Sequence, residues 1–174
     1  EMTTRNIARG QRDLALFTIG QVVIAGDNVT SVDALDVTKR PDDAEIAALD
    51  ASLPRQPLYV AGVLTGLRDP AGPWGPGRTA DYLDAFEAVR TVAGAASVQI
   101  ELAAADFAPW HPGRCAAVII DGVTVGHAGE LHPAILERAG LPKRLCAFEI
   151  DVDAGRQREK LGFPGLPNKD VANA

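Results

Sequence analysis

Apolar residues along this chain come in short runs separated by polar or Gly- and Pro-rich stretches, and the length and periodicity of each run predict its structure. Asp13–Ile24 is rich in Leu, Phe, Ile and Val. It is too short and too β-branched at its end to prefer helix, so it predicts a strand. Leu58–Thr65 and Ser97–Ala103 predict a second and a third. Lys143–Val152 predicts a fourth major strand, with Leu145, Ala147 and Phe148 in its apolar part. Ahead of the first strand, Arg5–Arg12 is short and polar. It reads as the end of a helix that began upstream, closed by Gly10.

Helical spacing is clearest after Thr79, where Tyr82, Phe86, Val89 and Ala93 recur at i, i+4, i+7 and i+11 with Leu83 alongside. Thr79 or Asp81 can cap this helix and Gly94 can close it. A shorter helix is predicted from Pro41 to Leu49. Pro41 stands at its start, acids fill its first turn, and Ile46 and Leu49 are spaced to share one buried face. Pro133–Ala139 predicts another, closed by Gly140. Gly66–Gly77 holds three prolines and four glycines around Trp74 and predicts a loop, either mobile or docked on something else.

The strongest local signal is a hairpin. Cys115–Ile120 and Val123–His127 are β-rich and joined by Asp121-Gly122, a pair that favours a type I′ turn. A two-residue turn fixes the register: Ile120 faces Val123, Val118 faces Val125 and Ala116 faces His127, while Ile119 faces Thr124 and Ala117 faces Gly126. The first set is nearly all apolar and should point into the core. His111-Pro112-Gly113-Arg114 reads as a turn from which Arg114 opens the hairpin; the register puts Arg114 opposite Gly129, one residue off Glu130, and a structural Arg114–Glu130 ion pair across the hairpin mouth is the first reading, contact with a partner chain the second. Hairpin geometry requires antiparallel pairing. The element order therefore predicts an α+β fold, an antiparallel sheet with helices on one face.

Composition narrows the classes. With 174 residues, 47% of them hydrophobic, the chain can bury one ordinary core. No apolar run reaches the roughly 20 residues of a membrane span; Leu14–Ile24 is interrupted by Thr18, Gly20 and Gln21. A net charge of −6 argues against a whole-surface grip on nucleic acid. The two cysteines, Cys115 and Cys146, each lie in an apolar run and read as buried free thiols of a reducing cytosol. The start at Glu1 and the unfinished look of the last residues read as a piece of a longer protein.

Candidate chemistry gathers between His111 and Pro133, where all three histidines lie. A metal site on His127, Glu130 and His132 is the sharp reading, but His-x-x-Glu-x-His is not the helical spacing that places two imidazoles on one face. The alternative is that His127 packs in the sheet and His132 caps the next helix. Cys115 fails as a nucleophile because strand alternation turns Arg114 to the opposite face. Gly72–Gly77 lacks the amide donors and the Gly-Lys-Ser/Thr of a phosphate loop. The residues therefore point to no catalytic set, no metal ligands and no cofactor-binding residues.

Four collinear segments carry a resemblance. They are Asn6-Ile7-Ala8-Arg9-Gly10 followed by Leu14–Gly20; His111-Pro112-Gly113-Arg114-Cys115-Ala116; Gly126-His127-Ala128-Gly129-Glu130-Leu131-His132-Pro133; and Ala147-Phe148-Glu149-Ile150-Asp151. In this order they resemble the beta subunit of bacterial phenylalanyl-tRNA synthetase. Thr18 departs from it, standing where that family usually has Glu.

The resemblance implies a catalytic-like module at residues 1–153, partial and with irregular segments at 26–56 and 66–78. Its fold would be a class II synthetase catalytic-like one, truncated at its N-terminal side and without the working residues. Residues 154–174 would be a linker or the start of a missing anticodon-binding domain, with Phe163–Ala172 faintly similar to its opening. His111, Pro112, Gly113, Arg114, Gly126, Gly129, Glu130, His132 and Pro133 become structural or interface candidates. The implied function is structural, within a ligase that charges tRNA(Phe) in the cytoplasm. An alpha subunit is the partner that binds ATP and phenylalanine, ATP and magnesium belong to the whole enzyme, and self-association of the isolated piece is expected through faces left bare. The competing readings are a synthetase-derived binding module with a new partner and a small metalloenzyme using His127, Glu130 and His132.

Overall fold

The structure is a computed structural model that describes residues 1–24, 38–73 and 75–156. Trp74, residues 25–37 at the start of the polar stretch and the segment resembling an anticodon-binding domain lie outside the described residues.

Helix α1 (Met2–Ala8) leads into strand β1 (Leu14–Gln21). Gly10 closes α1 as the sequence predicts: its amide bonds to Ile7 and that of Gln11 to Asn6, satisfying two orphan carbonyls. After helix α2 (Asp43–Ser52) comes β2 (Leu58–Thr65), within the boundaries its apolar run predicts. Strands β3 (Leu67–Asp69) and β4 (Arg78–Thr79) precede helix α3 (Tyr82–Ala95). The chain then runs through β5 (Glu101–Ala104), β6 (Trp110–Ile120), β7 (Val123–Leu131), α4 (Pro133–Arg138), β8 (Cys146–Asp151) and α5 (Val152–Arg156).

Six strands form one sheet in the order β1-β2-β8-β7-β6-β5, every neighbouring pair antiparallel. The last strand, β8, enters the middle, between β2 and β7, so it tests the register of both. Alternation along β8 sorts the core. Cys146, Phe148 and Ile150 join Val60, Leu64, Val118, Val125 and Ala128 under Ala85 and Val89 of α3. Leu145 and Ala147 belong to a second cluster with Trp110, Cys115 and Leu136. Since α4 contributes Leu136 to that second cluster, helices lie on both faces of the sheet, not on one. Burying a side chain such as Val89 or Leu136 contributes about 1.5–3 kcal/mol.

Asp81 caps α3, accepting from the Leu83 amide at 2.8 Å, while the Asp84 carboxylate accepts from the Asp81 amide at 2.9 Å. Arg78 donates to both Asp84 oxygens at 2.8 Å and to Asp69 at 3.0 Å. These bonds hold the Asp84 carboxyl below its ordinary range and tie β4 to β3 and to the start of α3. Gly66–Gly77 is therefore not only a loop: its first residues form β3, which pairs with Arg78–Thr79 just beyond. At the other end of α3 the sequence expectation fails. Gly94 lies inside the helix, and Ser97, at φ 56°, takes the closing position with its amide on Gly94 and that of Val98 on Ala93. Helix α2 starts after Pro41, at Asp43, capped by Asp42 with Glu45 reciprocating, and buries no residue. Ile46 is exposed, so Ile46 and Leu49 do not form a buried face among the described residues.

Candidate functional site

The hairpin from Trp110 to Leu131 is longer than its apolar runs. Near the turn the register is as expected, Ile120 with Val123 and Ile119 with Thr124. Then Val118 pairs with Gly126, Ala117 with His127, Ala116 with Ala128 and Cys115 with Gly129. Val125 is one extra residue, a β-bulge. It keeps Val125 in the core and turns His127 to the opposite face, so His127 lies across from Ala117 rather than Ala116. His111-Pro112-Gly113-Arg114 is likewise not a turn between elements. It is a second irregularity inside β6, between the pairs Trp110–Leu131 and Cys115–Gly129.

Two glycines make this geometry possible. A side chain on Gly126 would meet the Glu149 carbonyl of β8, and one on Gly129 (φ 152°) would meet the Arg114 carbonyl. With Cys115 opposite Gly129, Arg114 falls beside Glu130, one residue along from the expected register. Glu130 is only 2% exposed, and the Arg114 side chain 37%. Arg114 Nη2 donates to Glu130 Oε1 at 3.2 Å. Arg114 Nε lies 2.8 Å from Oε2 but is not aimed at it, so this second approach is an ion-pair contact without a directed hydrogen bond.

The three histidines separate. His127 stacks on Phe107 with ring centroids 4.3 Å apart, and burial pushes its pKa down against a smaller opposing effect of Glu149. His132 caps α4, Nδ1 accepting from the Ala134 amide at 3.2 Å, with Pro133 in the first turn. The His111 ring contacts the Pro112 carbonyl and lies 6.3 Å, centroid to centroid, from that of His132. His127 and Glu130 point to opposite faces of β7. Among the described residues no three His, Cys, Asp or Glu side chains gather where a metal could sit, so the His127, Glu130, His132 set is not assembled. Both cysteines are buried free thiols; burial raises Cys115 to about 11 and Cys146 to about 12, unsuited to nucleophilic work near neutrality.

Three of the open surfaces among the described residues bear on function. On the face opposite α3, a cavity of about 380 Å³ is lined by Thr18, Ala61, Trp110, Leu131 and Glu149 among others. A second, of about 520 Å³, lies where the chain before β1, the end of β2 and the approach to β8 meet. The third is β1, an eight-residue strand at the edge of the sheet with Phe17 73% and Ile19 59% exposed. The sequence reading missed the aromatic contact of His127 as well as the basic residues around the second cavity. In both cases the partners are far apart in the chain, and composition gives no hint of the contact.

Residues 1–152 match the family described as phenylalanyl tRNA synthetase beta chain CLM domain. The chain belongs to that family. It is 56% identical over 154 residues to the phenylalanine–tRNA ligase beta subunit of Mycolicibacterium paratuberculosis, a match covering 88% of this chain and 19% of the relative. The corresponding beta subunit of Nocardia farcinica is 55% identical over 164 residues, covering 94% and 20%. That of Corynebacterium glutamicum is 52% identical over 163 residues, covering 93% and 19%. The chain thus spans about a fifth of the length of these relatives. In the hairpin, each motif residue with a visible contact takes part in a bulge, a cap or an ion pair.

Proposed function

We propose that this chain is the non-catalytic module with which a phenylalanine–tRNA ligase beta subunit packs on its alpha subunit in support of tRNA(Phe) aminoacylation. Its fold is a class II catalytic-like sheet, truncated at its N-terminal side, that has given up the chemistry. The observation that carries this reading is the edge strand β1. Its Phe17 and Ile19 project into solvent, and among the described residues no strand pairs with its outer backbone groups. An exposed apolar edge of this length is an association surface, since left bare it invites pairing with another chain.

The candidate residues support a structural role. Arg114, Gly126, Gly129 and Glu130 set the register of the central strands, while His132 and Pro133 start α4. His111, Pro112 and Gly113 shape the irregular start of β6 and are interface candidates. ATP and magnesium belong to the whole enzyme, and no described residue of this chain is assigned to hold either. Residues 1–153 form the module, and 154–174 are a linker or the start of an anticodon-binding domain. The enzyme works in the cytoplasm; no helix among the described residues is long and apolar enough to cross a membrane. The isolated chain self-associates through the same bare edge.

The test is phenylalanine-dependent ATP–pyrophosphate exchange. The purified chain alone gives none, and an alpha subunit assembled with the full beta subunit gives robust exchange. Exchange by the chain alone overturns the proposal.

A further inference from the structure

The recess of about 520 Å³ is lined by Arg12, Lys143 and Arg144, with Thr65, Thr79 and Leu141 among its other walls. Arg12 precedes β1 while Lys143 and Arg144 precede β8, so the antiparallel sheet brings cations distant in sequence to one end. None of the three makes an ion pair among the described residues. Several acids of the sheet and of α3 have partners of their own. Asp84 is held by Arg78 and Arg68, Glu130 by Arg114, and Asp13 accepts from the Leu67 amide. A chain of net charge −6 thus gathers three cations, none of them ion-paired among the described residues, at one recess, with Asp13 at its rim beside Gly66.

We propose that this recess is a docking point for a backbone phosphate of RNA, held by Arg12, Lys143 and Arg144. The inference rests on the reading above, that the chain works inside a tRNA-charging enzyme, and adds a contact which that reading does not assign. Two guanidinium forks and one ammonium suit the oxygens of a phosphate. The volume lies in the range of ligand-sized pockets. It exceeds what one carboxylate side chain fills and leaves room for the sugar attached to a phosphodiester, against Leu141 and its apolar neighbours. This favours RNA over an acidic protein segment.

The experiment uses the full beta subunit assembled with its alpha subunit. Arg12→Gln, Lys143→Gln and Arg144→Gln are made singly and together, with Arg144→Lys as the charge-keeping variant. tRNA binding is measured across a salt series, and ATP–pyrophosphate exchange reports the state of the fold and the chemistry. The triple variant is expected to bind tRNA roughly tenfold more weakly and to lose about one unit of salt slope. Exchange stays at the wild-type rate and Arg144→Lys retains most of the binding. Unchanged tRNA affinity and slope in the triple variant overturn the inference. So does protection of the recess by inorganic phosphate or pyrophosphate without any effect on tRNA, which makes the ligand a free anion. So does weakened alpha–beta assembly with normal tRNA binding per complex, which makes it a protein contact. A wild-type complex that binds no tRNA overturns both the inference and the reading beneath it.

Discussion

Replacing Arg114 by Met should destabilise the fold far more than replacing Glu130 by Gln, although each removes one half of the same pair. The gross attraction is large: two unit charges about 3 Å apart at an effective dielectric of 20 attract by roughly 5 kcal/mol. Most of that is offset by the desolvation of Glu130, so the intact pair adds little net stability. Breaking it is another matter, because the two partners differ in access to water. Glu130 is 2% exposed and cannot recover its hydration when Arg114 is gone. Stranding a buried charge costs about 3–5 kcal/mol. The Arg114 side chain is 37% exposed and can turn to solvent when Glu130 becomes Gln, whose carbonyl still accepts a hydrogen bond. That substitution should cost about 1–2 kcal/mol. The double variant leaves no stranded charge and should cost at least about 2 kcal/mol less than the sum of the two singles. Urea unfolding at pH 7, followed by tryptophan fluorescence, measures all four corners of the cycle. Equal single costs, or strict additivity, would refute the claim that burial of Glu130 governs this pair.

Gly129→Ala should destabilise by about 2–4 kcal/mol, since the new methyl group meets the Arg114 carbonyl at a φ that other residues rarely adopt; urea unfolding checks it. Ser97→Gly should stabilise by about 1 kcal/mol, because Ser97 closes α3 in the left-handed region, which favours glycine; a higher melting temperature is the readout. His127 gives a pH dependence of definite sign. Its folded pKa lies below the unfolded value of 6.5, so the unfolded chain binds the proton more readily. The stability it contributes is complete above about pH 6.5 and is lost as pH falls from there toward the folded pKa. His127→Phe should flatten stability across that interval, and unfolding midpoints at pH 7.5 and 5.5 test it.

Elements whose signal is local were legible in the sequence. The apolar run of β2, the capped start and periodic face of α3, the Asp121-Gly122 turn and the Gly140 closure of α4 all depend on neighbours a few residues away. What failed depends on partners remote in the chain. A period of two cannot show an inserted residue, so the register was wrong beyond Val125 even though Gly126 and Gly129 marked the place where strands approach too closely for side chains. Pro112 and Gly113 read as a turn because those residues usually break strands, yet here they sit in an irregularity of a strand that continues. The short β3–β4 pair depends on Arg78 reaching Asp69 and Asp84, a charge contact that hydrophobic patterning cannot register. The family segments were readable for a different reason. Several of their residues hold backbone geometry in place, and geometry of that kind tolerates few substitutes. The basic recess was invisible because its cations meet only after the sheet has formed.

The central claim is that the bare β1 edge is the surface on which the partner subunit docks. The most direct measurement is the mass, by light scattering, of complexes formed when the alpha subunit is mixed with a full beta subunit carrying Phe17→Asp and Ile19→Asp. Both side chains already face solvent, so the double variant should fold, melt within a few degrees of wild type and fail to form the alpha–beta assembly that wild type forms. Assembly of the folded double variant at wild-type affinity would contradict the account.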